Sequence, residues 1–283
     1  MSAVPSPAVS PAQAIDRQWQ RFTPRERLQR FAVYALCLLA IVISFKAVNV
    51  MPEFLLDAHI QMKDLLVRMW PIEFKFYYTP QNMGAQTVHQ ALLDTLAIAF
   101  LSTGLGILLA TPIGFLAARN INKIWWLNAI ARFILVAARS ISTLLWALFF
   151  VAMFGPGALA GTCAIAFHSI GFIGKMLSEA LEESNTGTIE ALTATGAPWY
   201  SRIVYGYWPQ VQPAFVSIAL FRWDINVRES AVLGLVGAGG IGMVLNASID
   251  VFEWDRVALV LFVIFVVVVA AEVVATQLRK RLI

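Results

Sequence analysis

Phe31–Phe45, Thr95–Ala118, Ala158–Gly174 and Ile203–Phe221 contain no Asp, Glu, Lys or Arg, while Phe133–Phe154 and Val257–Leu278 contain one each, Arg139 and Glu272. A bilayer core is crossed by about 20 mainly apolar residues in a helix, so each run is read as a membrane span. Charged residues make up only 13% of the chain and hydrophobic ones 59%, against about 25% charged in soluble domains. A water-soluble fold with so few charges could not cover its surface, which excludes a cytosolic enzyme and a disordered chain. The formal net charge of +4 is distributed over loops and ends, without the basic face that a nucleic-acid binder needs. Inside lipid a helix satisfies its own backbone hydrogen bonds, so the expected class is an all-α integral membrane protein.

The order of charges fixes an expected topology. Residues 1–30 form a basic N-terminal tail; its first sixteen residues are rich in Ser, Pro and Ala and are read as disordered, and Arg17, Arg21, Arg25, Arg27 and Arg30 lead into the first run. The charged leader is long and no small-residue cleavage site follows, so this run is read as an uncleaved span, with Lys46 snorkelling to the outer interface. Residues 31–283 are then one transmembrane domain of about six spans. With the N-terminus inside, thirteen of the 21 Lys and Arg residues fall on the inner side and six on the outer, with Lys46 and Arg139 inside spans. A seventh uncharged stretch, 231–249, carries five glycines, Gly234, Gly237, Gly239, Gly240 and Gly242, unfavourable for a long helix. Counting it as a full crossing would put Arg279, Lys280 and Arg281 outside, so it is read as a re-entrant or partly embedded outer segment, either buried in protein or lining a wet cavity. Pro209 and Pro213 predict a kink in the fifth span.

Two connections carry patterns of their own. Glu53, Asp57, Gln61, Asp64 and Arg68 recur at helical spacing, with apolar residues between them, which predicts an amphipathic helix on the outer leaflet. The inner loop Lys175–Arg202 is too long for a plain connection. Asn185, Thr186 and Thr188 offer helix-start chemistry, Glu190 would then sit in a first turn, and Gly196 with Pro198 is a stop signal. The expected object is a short helix, a tight turn and a second helix leading into the next span; the small Ala191, Ala194, Gly196 and Ala197 would let another surface approach its backbone.

Several catalytic patterns fail on context. Gly237-Ala-Gly239-Gly-Ile-Gly242 matches G-x-G-x-x-G, but a dinucleotide site needs a strand before it and a soluble βαβ unit around it. His59, His89 and His168 are scattered singly without metal-type spacing, and His168 is read as a satisfied interior histidine. No P-loop is present, so the chain is not expected to be an enzyme or to hold a metal or cofactor. The informative charges lie in or beside spans, where each is costly: Asp94, Arg139, Asp224, Arg228, Glu229 and Glu272. Arg228 can pair with Asp224 or Glu229, or Arg139 and Arg228 can face a transported anion, with Asn226 and Ser230 as neutral hydrogen-bonding groups.

Glu190-Ala191-Leu192-Thr-Ala-Thr-Gly196, followed after nine residues by Gly206-Tyr-Trp208-Pro209, resembles the E-A-A-x3-G-x9-I-x-L-P signature of ABC importer permeases, with Leu192, Gly206 and Trp208 departing from it. The stretches 114–120, 190–199 and 225–242 resemble the phosphonate-uptake permeases in particular; where that family tends to have Arg-Ser-Ile-Pro-Glu, this chain has Arg139-Ser140-Ile141-Ser142-Thr143. The resemblance implies the type I ABC importer permease fold, with a cytosolic coupling helix, in a bacterial inner membrane with both termini cytoplasmic. It implies a homodimer, two cytosolic ATPase subunits holding ATP and Mg, and an external binding protein that delivers a phosphonate or a related phosphorus oxyanion such as phosphite. Glu190, Ala191, Leu192, Gly196, Ala197 and Pro198 would couple to the ATPase; Arg139, Asn226, Arg228, Glu229 and Ser230 would line the path; Gly237, Gly239, Gly240 and Gly242 would form an outer gate. The competing reading is a stand-alone, ion-coupled carrier for a small anion.

Overall fold

The structure, a computed structural model, describes residues 24–48, 52–81 and 86–282. The tail before residue 24, with Arg17 and Arg21, lies outside the described residues, as does whatever order it has. The helices are α1 (Pro24–Ala47), α2 (Pro52–Arg68), α3 (Val88–Ala117), α4 (Trp125–Ser140), α5 (Thr143–Phe154), α6 (Ala158–Glu182), α7 (Thr186–Ala194), α8 (Trp199–Ser201), α9 (Trp208–Leu233), α10 (Ile241–Asp250) and α11 (Trp254–Leu282). No strand occurs among the described residues. Among the described residues five helical runs are long and apolar enough to cross a membrane, and six if the bent pair α4–α5 is one span.

Two compact units are present, Met1–Lys63 and Asp64–Ile283. In the first, α1 exposes apolar side chains along its length, as in Leu36, Leu39 and Ile43. Helix α2 has the predicted amphipathic spacing, and Asp64 pairs with Arg68 one turn on at 2.9 Å.

The second unit is organised on α3 and α6, its most extensively packed pair. Their contact is lined by small residues, which let helix backbones approach in the absence of a hydrophobic drive between spans. A Cβ added to Gly106 would stand 2.8 Å from Ser169 Cβ, and one on Gly114 would stand 3.0 Å from Leu177. Thr87 starts α3 with a reciprocal capping box to Gln90. Above it, the Tyr77 hydroxyl and His89 Nδ1 share a hydrogen bond of 3.1 Å, and burial raises the phenol pKa.

Three expectations about spans are corrected. Phe133–Phe154 is not one straight helix: Ile141 and Ser142 are extended, and α4 and α5 meet at 89°. The bend lets α4 bury Asn128, Ala131, Leu135 and Ala138 beside α6, while α5 turns Ala147 into a different cluster with Ile98 and Ile165. Trp146 Nε1 donates to the Ala138 carbonyl at 3.3 Å, satisfying an acceptor the break would orphan. Helix α6 continues two turns past Gly174 to Glu182, with Lys175 and Glu179 paired at 2.8 Å, so the inner loop is shorter than expected. The fifth span runs past Phe221 to Leu233, placing Arg222 and Arg228 within a helix instead of in an outer loop. At its start Arg202–Tyr207 is π-helical, with Trp208 N–H reaching the Ile203 carbonyl.

The stretch 231–249 is broken at its glycines, as its composition requires: α9 ends at Leu233, a 3-10 turn covers Gly234–Val236, and α10 begins at Ile241. With ten residues, α10 is about 15 Å long at 1.5 Å per residue, too short to cross a bilayer of about 30 Å.

Candidate functional site

The inner connection builds a small projecting helix. Asn185 Oδ1 accepts from Gly187 N–H at 2.8 Å and caps α7. Because Asn185 is the cap, Glu190 is the fifth helical residue and lies beyond the first turn, a correction to its expected place. The helix ends where Gly196 adopts φ +75°, Gly196 N–H reaches Thr193 O at 3.0 Å, and Ala197 N–H reaches Leu192 O at 3.1 Å, a left-handed stop that glycine adopts without strain. Pro198 then caps α8. No residue of α7 is fully buried: Ile189 and Leu192 face the chain half-buried, while Glu190, Ala191, Gly196 and Pro198 are exposed and Ala197 is half-buried.

This element is laced to the ends of the long helices. Glu182 Oε1 accepts from the Arg119 backbone N–H at 2.8 Å and is paired with Arg132. The Asn120 side chain donates to Leu181 O. From α9, Gln210 Oε1 accepts from Asn185 N–H at 2.8 Å and its Nε2 donates to Gly206 O at 2.8 Å. The end of α6 is thus bonded to the α3–α4 turn, and the cap of α7 to α9.

The charges of α9 form a seam in its middle. Arg222, 3% exposed, donates from Nε to Ser169 Oγ at 2.9 Å and from Nη2 to Glu229 Oε2 at 3.1 Å, with its guanidinium over the Phe172 ring. Arg228 pairs with Asp224 and is itself 48% exposed. Of the two acidic partners expected for Arg228, Asp224 is the one found; Glu229 serves Arg222. Asn226 is fully buried and donates to Thr103 Oγ1 at 2.7 Å and Ser169 Oγ at 3.3 Å. Ser230 donates to the Thr95 and Val227 carbonyls. These two side chains are bonded inside the chain, tying α9 to α3 and α6, and are not open to a solute as expected. Arg139 is exposed and has no ion-pair partner among the described residues. His168 is interior, yet both ring nitrogens are buried without a hydrogen-bond partner, so it is not the satisfied histidine expected. Arg222, expected on the outer side, stands four residues before Asn226 and seven before Glu229, a spacing that marks one helix face and is the available signal.

The glycine turn is wedged between α3 and the start of α6. Gly237 O accepts from Gly157 N–H at 2.9 Å, and Thr95 Oγ1 accepts from Ile241 N–H at 2.7 Å. Gly239 has φ +86°, and a Cβ there would lie 2.7 Å from Ala158 N and Cα. The Ala238 carbonyl comes within 2.2 Å of where a Cβ on Gly161 would be. Gly240 abuts Thr95, and Gly242 packs on Gly234 and Ala231, so the expected gate residues do lie together. Helix α9 precedes this motif, whereas a dinucleotide fingerprint follows a strand.

Comparison with known proteins places this geometry. Residues 110–283 match the family described as binding-protein-dependent transport system inner membrane component. The chain is 35% identical over 259 residues to the phosphate-import permease protein of Mycolicibacterium smegmatis, covering 92% of this chain and 47% of that protein; it thus spans about half of that relative's length. It is 37% identical over 214 residues to a putative phosphite transport system permease protein of Stutzerimonas stutzeri, covering 76% of each. Among solved structures, an inward-facing MetNI methionine ABC transporter chain superposes with TM-score 0.62 at 23% identity, covering 69% of this chain and 96% of that one. The fold is that of the type I ABC importer permeases.

Proposed function

The chain belongs to the family of binding-protein-dependent transport system inner membrane components, and from that premise we propose that it is the transmembrane subunit of an ABC importer carrying a phosphonate or a related phosphorus oxyanion such as phosphite into the cytoplasm. The observation that carries this reading is α7: a capped, exposed helix bearing Glu190 and Ala191, tied at its cap to Gln210 of α9 and following directly on the end of α6, where Glu182 holds the α3–α4 turn. A helix with no buried residue gives its own chain little packing energy. It makes sense as a handle for a second protein.

In this reading two copies of the chain form the pathway in a bacterial inner membrane, with both termini on the cytoplasmic side. Two ATPase subunits hold ATP and Mg and grip Glu190–Pro198, and an external binding protein delivers the anion. The chain itself is not an enzyme and holds no cofactor. ATPase closure moves α7, and the lacing through Glu182 and Gln210 shifts α3, α4 and α9 between inward- and outward-open arrangements. The solute-facing residues are Arg139, Arg228 and Glu229. A path for an anion needs positive charge, but too strong a site would prevent exit; Arg228 meets both needs, half-exposed and moderated by Asp224. Asn226 and Ser230 hold the helices that carry these groups. The glycine turn is the outer gate, where backbone-to-backbone packing gives a sharp closed position.

Reconstitution in liposomes with the ATPase and binding protein tests this. ATP hydrolysis and uptake should rise with phosphonate, phosphite or phosphate and not with methionine. Uptake by this chain alone, without the ATPase, would replace the reading with an ion-coupled carrier.

A further inference from the structure

A cleft of about 700 Å³ opens between the end of α3, the α3–α4 turn and the segment α8–Tyr207. Its lining includes the apolar Pro112, Phe115 and Leu116 together with the basic Lys123 and Arg202. No acidic side chain lines it. Arg202 Nε is shut off from solvent and has no hydrogen-bond partner, a donor aimed at nothing the chain supplies. Trp199 in its lining is 59% exposed, and Trp125, Trp126 and Tyr205, next to or two residues from the lining residues Ile124 and Ile203, are exposed at 83%, 58% and 69%. Such a belt marks the level of lipid headgroups.

We propose that this cleft binds one anionic phospholipid, its phosphate against Arg202 and Lys123 and an acyl chain along Pro112, Phe115 and Leu116. The amphipathic lining fits a molecule that is apolar at one end and anionic at the other, with Arg202 and Lys123 supplying the positive charge for its phosphate. Basic pockets at the cytoplasmic ends of spans are suited to anionic headgroups. Ile189 of α7 also lines the cleft, so the lipid fills the space between the coupling helix and the α3–α4 turn and stiffens the link between them. The inference rests on the orientation proposed above, which puts this end at the inner leaflet.

The test uses the complex of this chain with its ATPase, purified from membranes containing phosphatidylglycerol and phosphatidylethanolamine, with retained lipid counted by native mass spectrometry. Wild type should retain phosphatidylglycerol, and R202Q and K123Q should each lower retention about five-fold. In nanodiscs, brominated phosphatidylglycerol should quench the fluorescence that W199F removes, and free inorganic phosphate should not prevent it. Equal retention by the double variant, equal retention of phosphatidylethanolamine, or displacement by free phosphate overturns the proposal. So does protection of K123C from a thiol reagent by the ATPase in lipid-free detergent, which would make the ATPase the occupant. Labelling of K123C, in a C37S/C163S background, by an impermeant reagent from the outer side would instead sink the proposed orientation, and lipid retention would still decide the cleft.

Discussion

Leu192 on the coupling helix fills the space that Gly206 leaves empty on the π segment: a Cβ at Gly206 would stand 3.2 Å from Leu192 Cδ1. The permease signature that the sequence resembles has Ala and Ile at these two places, so bulk has moved from one side of the contact to the other. The two departures from the signature compensate each other.

That exchange predicts non-additive variants. G206I should overpack the contact by about 1–3 kcal/mol, lowering the melting temperature of the complex and the ATPase activity stimulated by loaded binding protein. L192A/G206I should recover most of both, because contacting residues couple by about 0.5–3 kcal/mol. Additive losses in a double-mutant cycle would show that the contact transmits nothing.

Glu182 joins Arg132, the Arg119 backbone and, through its neighbour Leu181, Asn120. E182Q should keep the chain inserted and bound to its ATPase while cutting transport per ATP hydrolysed, since only the charge-assisted bonds, worth about 1.5–3 kcal/mol at most, are weakened. Side-by-side measurement of uptake and phosphate release reads this split; an unchanged ratio would remove Glu182 from the linkage.

Gly161 faces a backbone carbonyl 2.2 Å from its missing Cβ, whereas Gly104 has nothing within 4 Å. G161A therefore cannot be relieved by a rotamer change and should destabilise by about 3 kcal/mol or more. G104A should be neutral or stabilise by about 0.5–1 kcal/mol, since it only removes glycine's flexibility from a helix. Expression level and thermal denaturation in detergent distinguish them.

Arg222 is buried and is paired with Glu229, which is only part-buried. R222M should destabilise by about 3–5 kcal/mol by leaving Glu229 without its partner, while R222M/E229L should be close to wild type in stability. Transport by that stable double variant then measures what the charges do beyond folding.

The parts legible in the sequence are those governed by local chemistry. Asn185, Gly196 and Pro198 mark the ends of α7 because capping and left-handed stops depend on single residue types. The glycines of 234–242 announced a break for the same reason. The bend at Ile141–Ser142 was not legible, since neither Pro nor Gly stands there and the cause is tertiary: α4 and α5 bury their faces in different clusters. The spacing of Asn128, Ala131, Leu135 and Ala138, which α4 buries, falls on one helical face and is a signal that reading Phe133–Phe154 as one span leaves unused. The extent of α9 was hidden by treating the first charge after Phe221 as a boundary. Arg222 stays within the helix because Ser169 and Glu229, the latter two turns ahead, satisfy its guanidinium.

Arg202–Tyr207 closes wider rings than the α-helix that follows it, so it holds one residue more than regular winding would need. Moving that surplus forward along the helix turns each position it passes by about 100°, the angle one residue subtends at 3.6 per turn. In the proposed transport cycle, a linear tug at α7 would thus reach Arg222 and Arg228 as torsion, changing which sides of α9 face the proposed path without altering the helix's length or its tilt.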